Sequence, residues 1–480
     1  MADTQSEGMI AASGDSGGLI KSLTTLDVFI AGVGLVVAAS TLVSDFVGWF
    51  TAGRAFAVAL IAMFVVNLFL GLAASELATT YPKAGALYDF GAAAVGGGEQ
   101  TKAFVGIFLG ILFYIMFAFA GGGETVAGAS GAQGLFNAGS LGLWVFVLSV
   151  LAILPNLFGI SLLAKVELYT VLVMLAIRWF FGVTGFLGAN NVGSWSWSNV
   201  PGGELSFAGI IALGGAYAFW SFVGIEFVAP LAEETRDPGR SIPRGIVLGL
   251  LAILGTSLLM GIGVAGLNPD WASQIDLNAP QLAVGQEMFG DGGRVLMAIA
   301  SVLATYSSMT IVYAAMPRIL YGMSRNGHFF GPLSRWFGTV HPRFRTPWVA
   351  IFFTGVVYTA TALAYGQVAE LIFTAAYVWL LLYVVYSLLV VVSRYVNPNV
   401  ARPFKLPILV PIVGFLVTLY MFWAAFKDPI EEGGPTGHAY FGGRALWMIG
   451  GAIVVAIIGI VLEKTSGVQS RLEQEVHQEA

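Results

Sequence analysis

Glu226 lies in the stretch YAFWSFVGIEFVAPLAEETRDPGRSIPR (217–244), two residues after Gly224 and inside an otherwise apolar run. A carboxylate within a membrane span is costly and marks a path for a charged solute or an ion. A glycine break beside it predicts a discontinuous helix whose free backbone groups can bind such a solute near the bilayer midplane. A first half-helix ending at Phe222, Val223 and Gly224 would expose carbonyls, a partial negative pole suited to an ammonium group. Gly224 lets a solute approach the backbone closely. Trp220 and Phe222 supply rings that can cover a cation or gate its path. The alternative is a lipid-facing helix with a packing glycine, which would leave Glu226 in hydrocarbon at a cost of about 3 kcal/mol.

Other residues extend the same chemistry. Asp45, Glu124 and Glu226 place three carboxylates along an expected outer path, a field that attracts a cationic or amine-bearing solute. Glu124, in AGGGETVAGA, can equally be a surface charge at a helix end. Tyr114 in the same span is a candidate binding residue, and Trp379 either lines the pocket or packs.

Helices must hold these groups, and composition says which kind. The chain has 480 residues, 57% hydrophobic and 10% charged, which excludes an ordinary soluble domain and indicates a polytopic membrane protein. There is no cysteine, so disulfides and thiolate metal sites are excluded. The histidines, His328, His341, His438 and His477, fall in polar stretches, so no haem or other cofactor is expected. No GxxxxGK[ST] motif is present, which removes that route to ATP. Nothing in the chain suggests nucleic acid as a partner.

A span needs about 20 apolar residues. Such segments occur at 24–50, 55–79, 102–129, 142–159, 163–188, 207–230, 244–266, 293–317, 347–365, 370–392, 407–426 and 444–463. With both termini inside, most of the 22 lysines and arginines face the cytoplasm. Only Arg54, Arg294, Lys427 and Arg444 then lie outside, and Arg178 lies within a span. The positive-inside rule selects this orientation. Residues 1–22 are small and polar without an apolar core, which predicts a disordered cytoplasmic tail rather than a signal peptide. The longest inner loop, 317–346, mixes aromatic and basic residues and predicts short helices along the inner surface.

Three stretches carry a family resemblance. SELATTYPKAGALYDF (75–90), FWSFVGIEFVAPLAEETRDPGRSIPR (219–244) and RILYGMSRNGHFFGPLSRWFGTVHPRFRTPW (318–348) resemble segments of the amino acid–polyamine–organocation transporters. The likeness covers most of residues 24–405. It implies an all-α membrane protein of about twelve transmembrane helices, with spans one to five and six to ten as inverted repeats. Spans one and six would be broken in this leucine-transporter-like core of residues 23–405. Helices at 406–465 would be peripheral and could pair two copies, and 466–480 would be a second cytoplasmic tail.

The resemblance also assigns roles. Ala38, Ala39 and Ser40 match the small-residue run at the break of span one, where freed amides would favour a carboxylate. The rival location is Ser44–Asp45–Phe46, which faintly resembles the ethanolamine-permease branch. Glu226 matches a coupling position, protonated in one half of the cycle and charged in the other; the other reading is a structural carboxyl bonded to unwound backbone. Met174 stands where many relatives carry a lysine that fills a sodium site. Arg178, one turn later on the same face, is a substitute fixed charge, an interfacial group or the partner of a carboxylate. If the site is open, Thr305, Ser307 and Ser308 could offer oxygens to a cation; otherwise they make ordinary interhelical bonds. The expected activity is alternating-access transport of an amino acid or related small amine, coupled to a proton or sodium. Its partners would be that solute, the surrounding lipid and a second copy. An ethanolamine or polyamine permease is the alternative, and a channel or receptor the competing class.

Overall fold

The structure, a computed structural model, describes residues 21–83, 85–203, 205–207, 209–210, 214–274, 280–328, 333–366, 368–427 and 438–466. Apart from residues 21, 22 and 466, the two expected tails lie outside the described residues.

Helix α1 (Thr25–Val36) opens with a capping box. Thr24 accepts from the Asp27 amide, and the Asp27 carboxylate accepts from the Thr24 amide at 2.7 Å. The helix stops at Val37, and Ala38 is extended (φ −73°, ψ 168°). Helix α2 (Ala39–Thr80) completes span one, turns sharply at Gly53 and continues as span two. There follow α3 (Leu87–Ala94), α4 (Glu99–Phe136), α5 (Leu141–Leu157) and α6 (Ile160–Phe186).

Span six is not a regular helix. It passes through a single π turn at Gly214–Ala218, an irregular turn at 219–224 and a 3-10 stretch at Ile225–Glu234. A 3-10 run of this length is uncommon and marks a hinge or local strain. Pro230 within it has no N–H to give an α-helical ladder.

The second half continues with α7 (Pro238–Ala265), α8 (Trp271–Gln274), α9 (Pro280–Arg325, kinked at Phe289–Gly290) and α10 (Ser334–Phe337). It ends with α11 (Trp348–Tyr365), α12 (Val368–Val396), α13 (Leu409–Lys427) and α14 (His438–Ser466). Among the described residues, eight helices are long and apolar enough to cross a membrane, and three shorter apolar helices accompany them. The first expected segment is α1 with the start of α2, the second is the rest of α2, the sixth is the broken stretch, and each of the others corresponds to one helix. The two interruptions fall five spans apart.

Helix α4 is the hub, packing on α3, α5, α9, α11, α12 and α14. Its glycine-rich face allows close approach. A Cβ at Gly128 would lie 2.3 Å from the Thr305 hydroxyl, so only glycine lets α9 bring Thr305 this near.

The start of span one and the end of span six are clasped. The amides of Ser22 and Leu23 donate to the Glu234 carbonyl at 2.9 and 3.0 Å, and the Arg236 amide donates to Leu23 at 3.0 Å. The Glu234 side chain forms a buried bidentate pair with Arg318 of α9, at 2.5 Å from Nε and 3.0 Å from Nη2. Nearby, Glu76 accepts from Arg394 at 2.7 and 2.5 Å and from the Leu406 amide at 2.8 Å, joining α2 to α12.

Breaking a buried ion pair strands a charge and costs about 3–5 kcal/mol, whereas replacing both partners by apolar groups is often tolerated. Glu234→Leu and Arg318→Met alone should each lower the melting temperature of the purified protein. The double substitution should lower it by less than either single one, as read by thermal unfolding in detergent. A double variant as unstable as the sum of the two would show that the pair's charges are not what matters.

Candidate functional site

The break in span one exposes the first amides of α2 within the protein interior. Glu124 of α4 takes them: Ala39 donates to Oε1 at 2.8 Å and Ser40 to Oε2 at 3.0 Å. Thr305 of α9 adds a hydroxyl bond to Oε1 at 2.7 Å. Negative charge is stabilised at a helix N-terminus by the aligned peptide dipoles, so this placement is favourable. Glu124 is 4% exposed, and is therefore a buried group rather than a surface charge at a helix end.

The carbonyl side of the same break is also satisfied. Arg178 of α6 donates from Nη2 to the Val37 carbonyl at 3.1 Å and the Ala38 carbonyl at 2.8 Å. Asp45 and Glu124 are the acids whose charge it meets. Arg178 is 1% exposed, so it does not snorkel to an interface. Asp45 lies inside the helical part of α2 and is fully buried. It accepts from Ser221 at 2.5 Å and Ser257 at 2.6 Å. It thus ties span one to spans six and seven, and does not lie open on an outer path. Ser44 donates to the Tyr217 carbonyl at 3.2 Å, and the interruption falls at Val37–Ala38, not at Ser44–Asp45–Phe46.

In span six, Gly224 adopts φ +106°, a left-handed conformation that suits glycine. Its amide donates to Glu226 Oε2 at 3.2 Å. Trp379 Nε1 donates to Oε1 at 2.6 Å, and the Tyr383 hydroxyl to Oε2 at 2.8 Å. The Glu226 carboxyl therefore joins the break to α12. An ionised carboxylate accepts from all three donors at full strength; a proton on one oxygen makes that oxygen a donor and weakens the bond it accepts.

Between the breaks lies a small cavity. It is lined by Ala38, Ser40, Glu124, Trp220, Val223, Ser308 and Trp379, with Phe117 and Leu35 among the apolar walls. Trp220 donates to Ser40 Oγ at 3.1 Å and meets Trp379 edge to face at 5.7 Å. Phe117 meets Trp379 at 4.8 Å. Three other candidates stand apart. Phe222 is buried against Phe64. Tyr114 donates to Thr354 at 3.0 Å and packs on Tyr358. Met174 is buried in the apolar core.

A family model described as "Amino acid permease" matches residues 23–461. The chain belongs to that family. It is similar to the branched-chain amino acid permease BcaP of Bacillus subtilis (strain 168), 25% identical over 436 residues, 86% of this chain and 90% of the relative. It is also similar to the glutamate/serine transporter AimA of that organism, 26% identical over 440 residues, 85% of this chain and 78% of the relative. The methylthioribose transporter of the same organism is 23% identical over 447 residues, 88% of this chain and 91% of the relative. The chain is therefore a multi-pass membrane transporter and not an enzyme.

Several groups in this permease were not singled out by sequence reasoning. Tyr383 lies one turn after Trp379, and this spacing puts both polar tips on one face of α12. Ser221 and Ser257 gave no signal beyond their presence in apolar runs. Glu167, near the start of α6, is buried, and Ser307 donates to its Oε2 at 2.5 Å. The cost of burying a carboxyl, which drew attention to Glu226, applies equally to Glu167. Thr305 and Ser307 thus bond to carboxyls, while Ser308 faces the cavity.

Trp220→Ala should weaken binding of any solute that stabilises the wild-type protein by roughly tenfold, about 1.4 kcal/mol. The ring walls the cavity without holding up a helix ladder, so the variant should still fold. Equilibrium binding, with size-exclusion behaviour as the folding control, tests this. Unchanged affinity would show that the ring only packs.

Proposed function

We propose that this permease is a secondary transporter that moves an amino acid or related small amine by alternating access, coupled to protons. The observation that carries the reading is the pair of interrupted spans whose exposed backbone groups converge on one cavity. A cavity between two interrupted spans suits a carrier whose half-helices would move about the solute, whereas a channel needs a continuous polar pore. The clasp between Leu23 and Thr235 would make the inner halves of spans one and six move as one unit.

Proton coupling follows from Glu226. Protonation would weaken the tie between the span-six break and Trp379 and Tyr383 of α12. Alternating access would then link the proton to the side on which the pocket opens. Sodium is disfavoured because Arg178 places a fixed positive charge on the Val37 and Ala38 carbonyls. Thr305 and Ser307, which could otherwise ligate a cation, already bond to Glu124 and Glu167. The distribution of Lys and Arg supports both termini being cytoplasmic, and our reading is a carrier of the cell membrane with α13 and α14 as the peripheral surface for a second copy.

Uptake into proteoliposomes should respond to an imposed pH gradient and be unchanged when potassium replaces sodium. Glu226→Gln, which preserves shape but cannot titrate, should flatten the pH dependence of uptake. A wild-type pH profile in Glu226→Gln would remove Glu226 from the coupling role. An absolute sodium requirement would remove the proton-coupled reading.

A further inference from the structure

The amides that open α2 form the natural anion-binding end of the cavity. In this chain an internal carboxylate already fills it. Ala39 and Ser40 donate to the two oxygens of Glu124, and Thr305 holds one of those oxygens in place. Both N–H groups are thereby used. We propose that the substrate is a small organic amine that carries no carboxylate, bound as its cation between Glu124 and the rings of Trp220, Trp379 and Phe117. The proposal rests on the transporter reading above and narrows its substrate class.

Electrostatics excludes the zwitterion from this arrangement. A substrate carboxylate reaching for the same amides would meet Glu124 at close range, and like charges repel strongly where water is scarce. Moving Glu124 aside would strand a buried charge that now has three donors. An ammonium group meets the opposite situation. The Glu124 Oε2 atom accepts only the Ser40 amide among the described residues, and a carboxylate oxygen can take a further donor. Trp220, Trp379 and Phe117 line the same space, and a ring that turns its face to it would attract a desolvated cation.

Charge balance points the same way. Three carboxyls, Asp45, Glu124 and Glu226, surround the two breaks, against one guanidinium, that of Arg178.

The test uses the purified full chain in lipid nanodiscs and three matched pairs, each an amino acid and the amine left when its carboxylate is removed. These are serine with ethanolamine, leucine with 3-methylbutylamine, and phenylalanine with 2-phenylethylamine. At least one amine should bind at least tenfold more tightly than its amino acid. Glu124→Gln should weaken that amine by tenfold or more. Glu124→Ala, which frees the two amides, should shift the preference toward the carboxylate-bearing partner. An amino acid that binds wild-type protein as tightly as its amine overturns the proposal and leaves the transporter reading intact. Failure of all three amines, or undiminished amine binding by Glu124→Gln, overturns it as well. Uptake of any of the six solutes into proteoliposomes is the separate measure by which the transporter reading stands or falls.

Discussion

Backbone groups that leave a helix inside a bilayer find no water, so the protein itself must supply each of them with a partner. Both breaks in this chain are shaped by that requirement. Glu124 answers the amides of span one, Arg178 answers its carbonyls, and Glu226 answers the Gly224 amide. Glu124 comes from α4 and Arg178 from α6, while Glu226, in span six itself, is held by Trp379 and Tyr383 of α12, so the breaks also bear on how α4, α6 and α12 are arranged around the centre. Close packing at Gly128 then becomes necessary, because Thr305 must reach Glu124 across the α4–α9 contact.

The same side chains that repair the backbone line or border the cavity. A polar group buried for structural reasons is therefore also available for function, and the two roles need not compete. Glu226 illustrates this. Its three donors give it a structural role, yet its bonds reach from span six to span ten across the wall of the cavity. Asp45 does similar work between spans one, six and seven through Ser221 and Ser257.

Much of this was legible in the chain. Hydropathy located the spans because twenty apolar residues are hard to mistake, and Gly224 beside Glu226 pointed to the sixth break. Span one was harder, since Val37 and Ala38 carry no glycine or proline to announce an interruption. What marks that break is its partners, and these lie far along the chain: Glu124 is 85 residues from Ala39, and Arg178 is 140 from Ala38. Periodicity and spacing report local geometry and are blind to such distances. Tyr114 and Phe222 show the converse. Both have plausible binding side chains on the right spans, but helix rotation turns them toward Thr354 and Phe64.

Arg178 also bears on how the chain is made. An arginine at the centre of a lone helix raises the free energy of insertion by about 2.5–3.5 kcal/mol. The carbonyls that compensate it belong to span one, which emerges from the ribosome well before α6. Asp45 and Glu124, on spans one and three, carry the complementary charge. The early spans are thus poor solutes for lipid one by one and good ones together. Their polar groups find their full set of partners only once α6 has joined them, which would couple the settling of these spans in the bilayer.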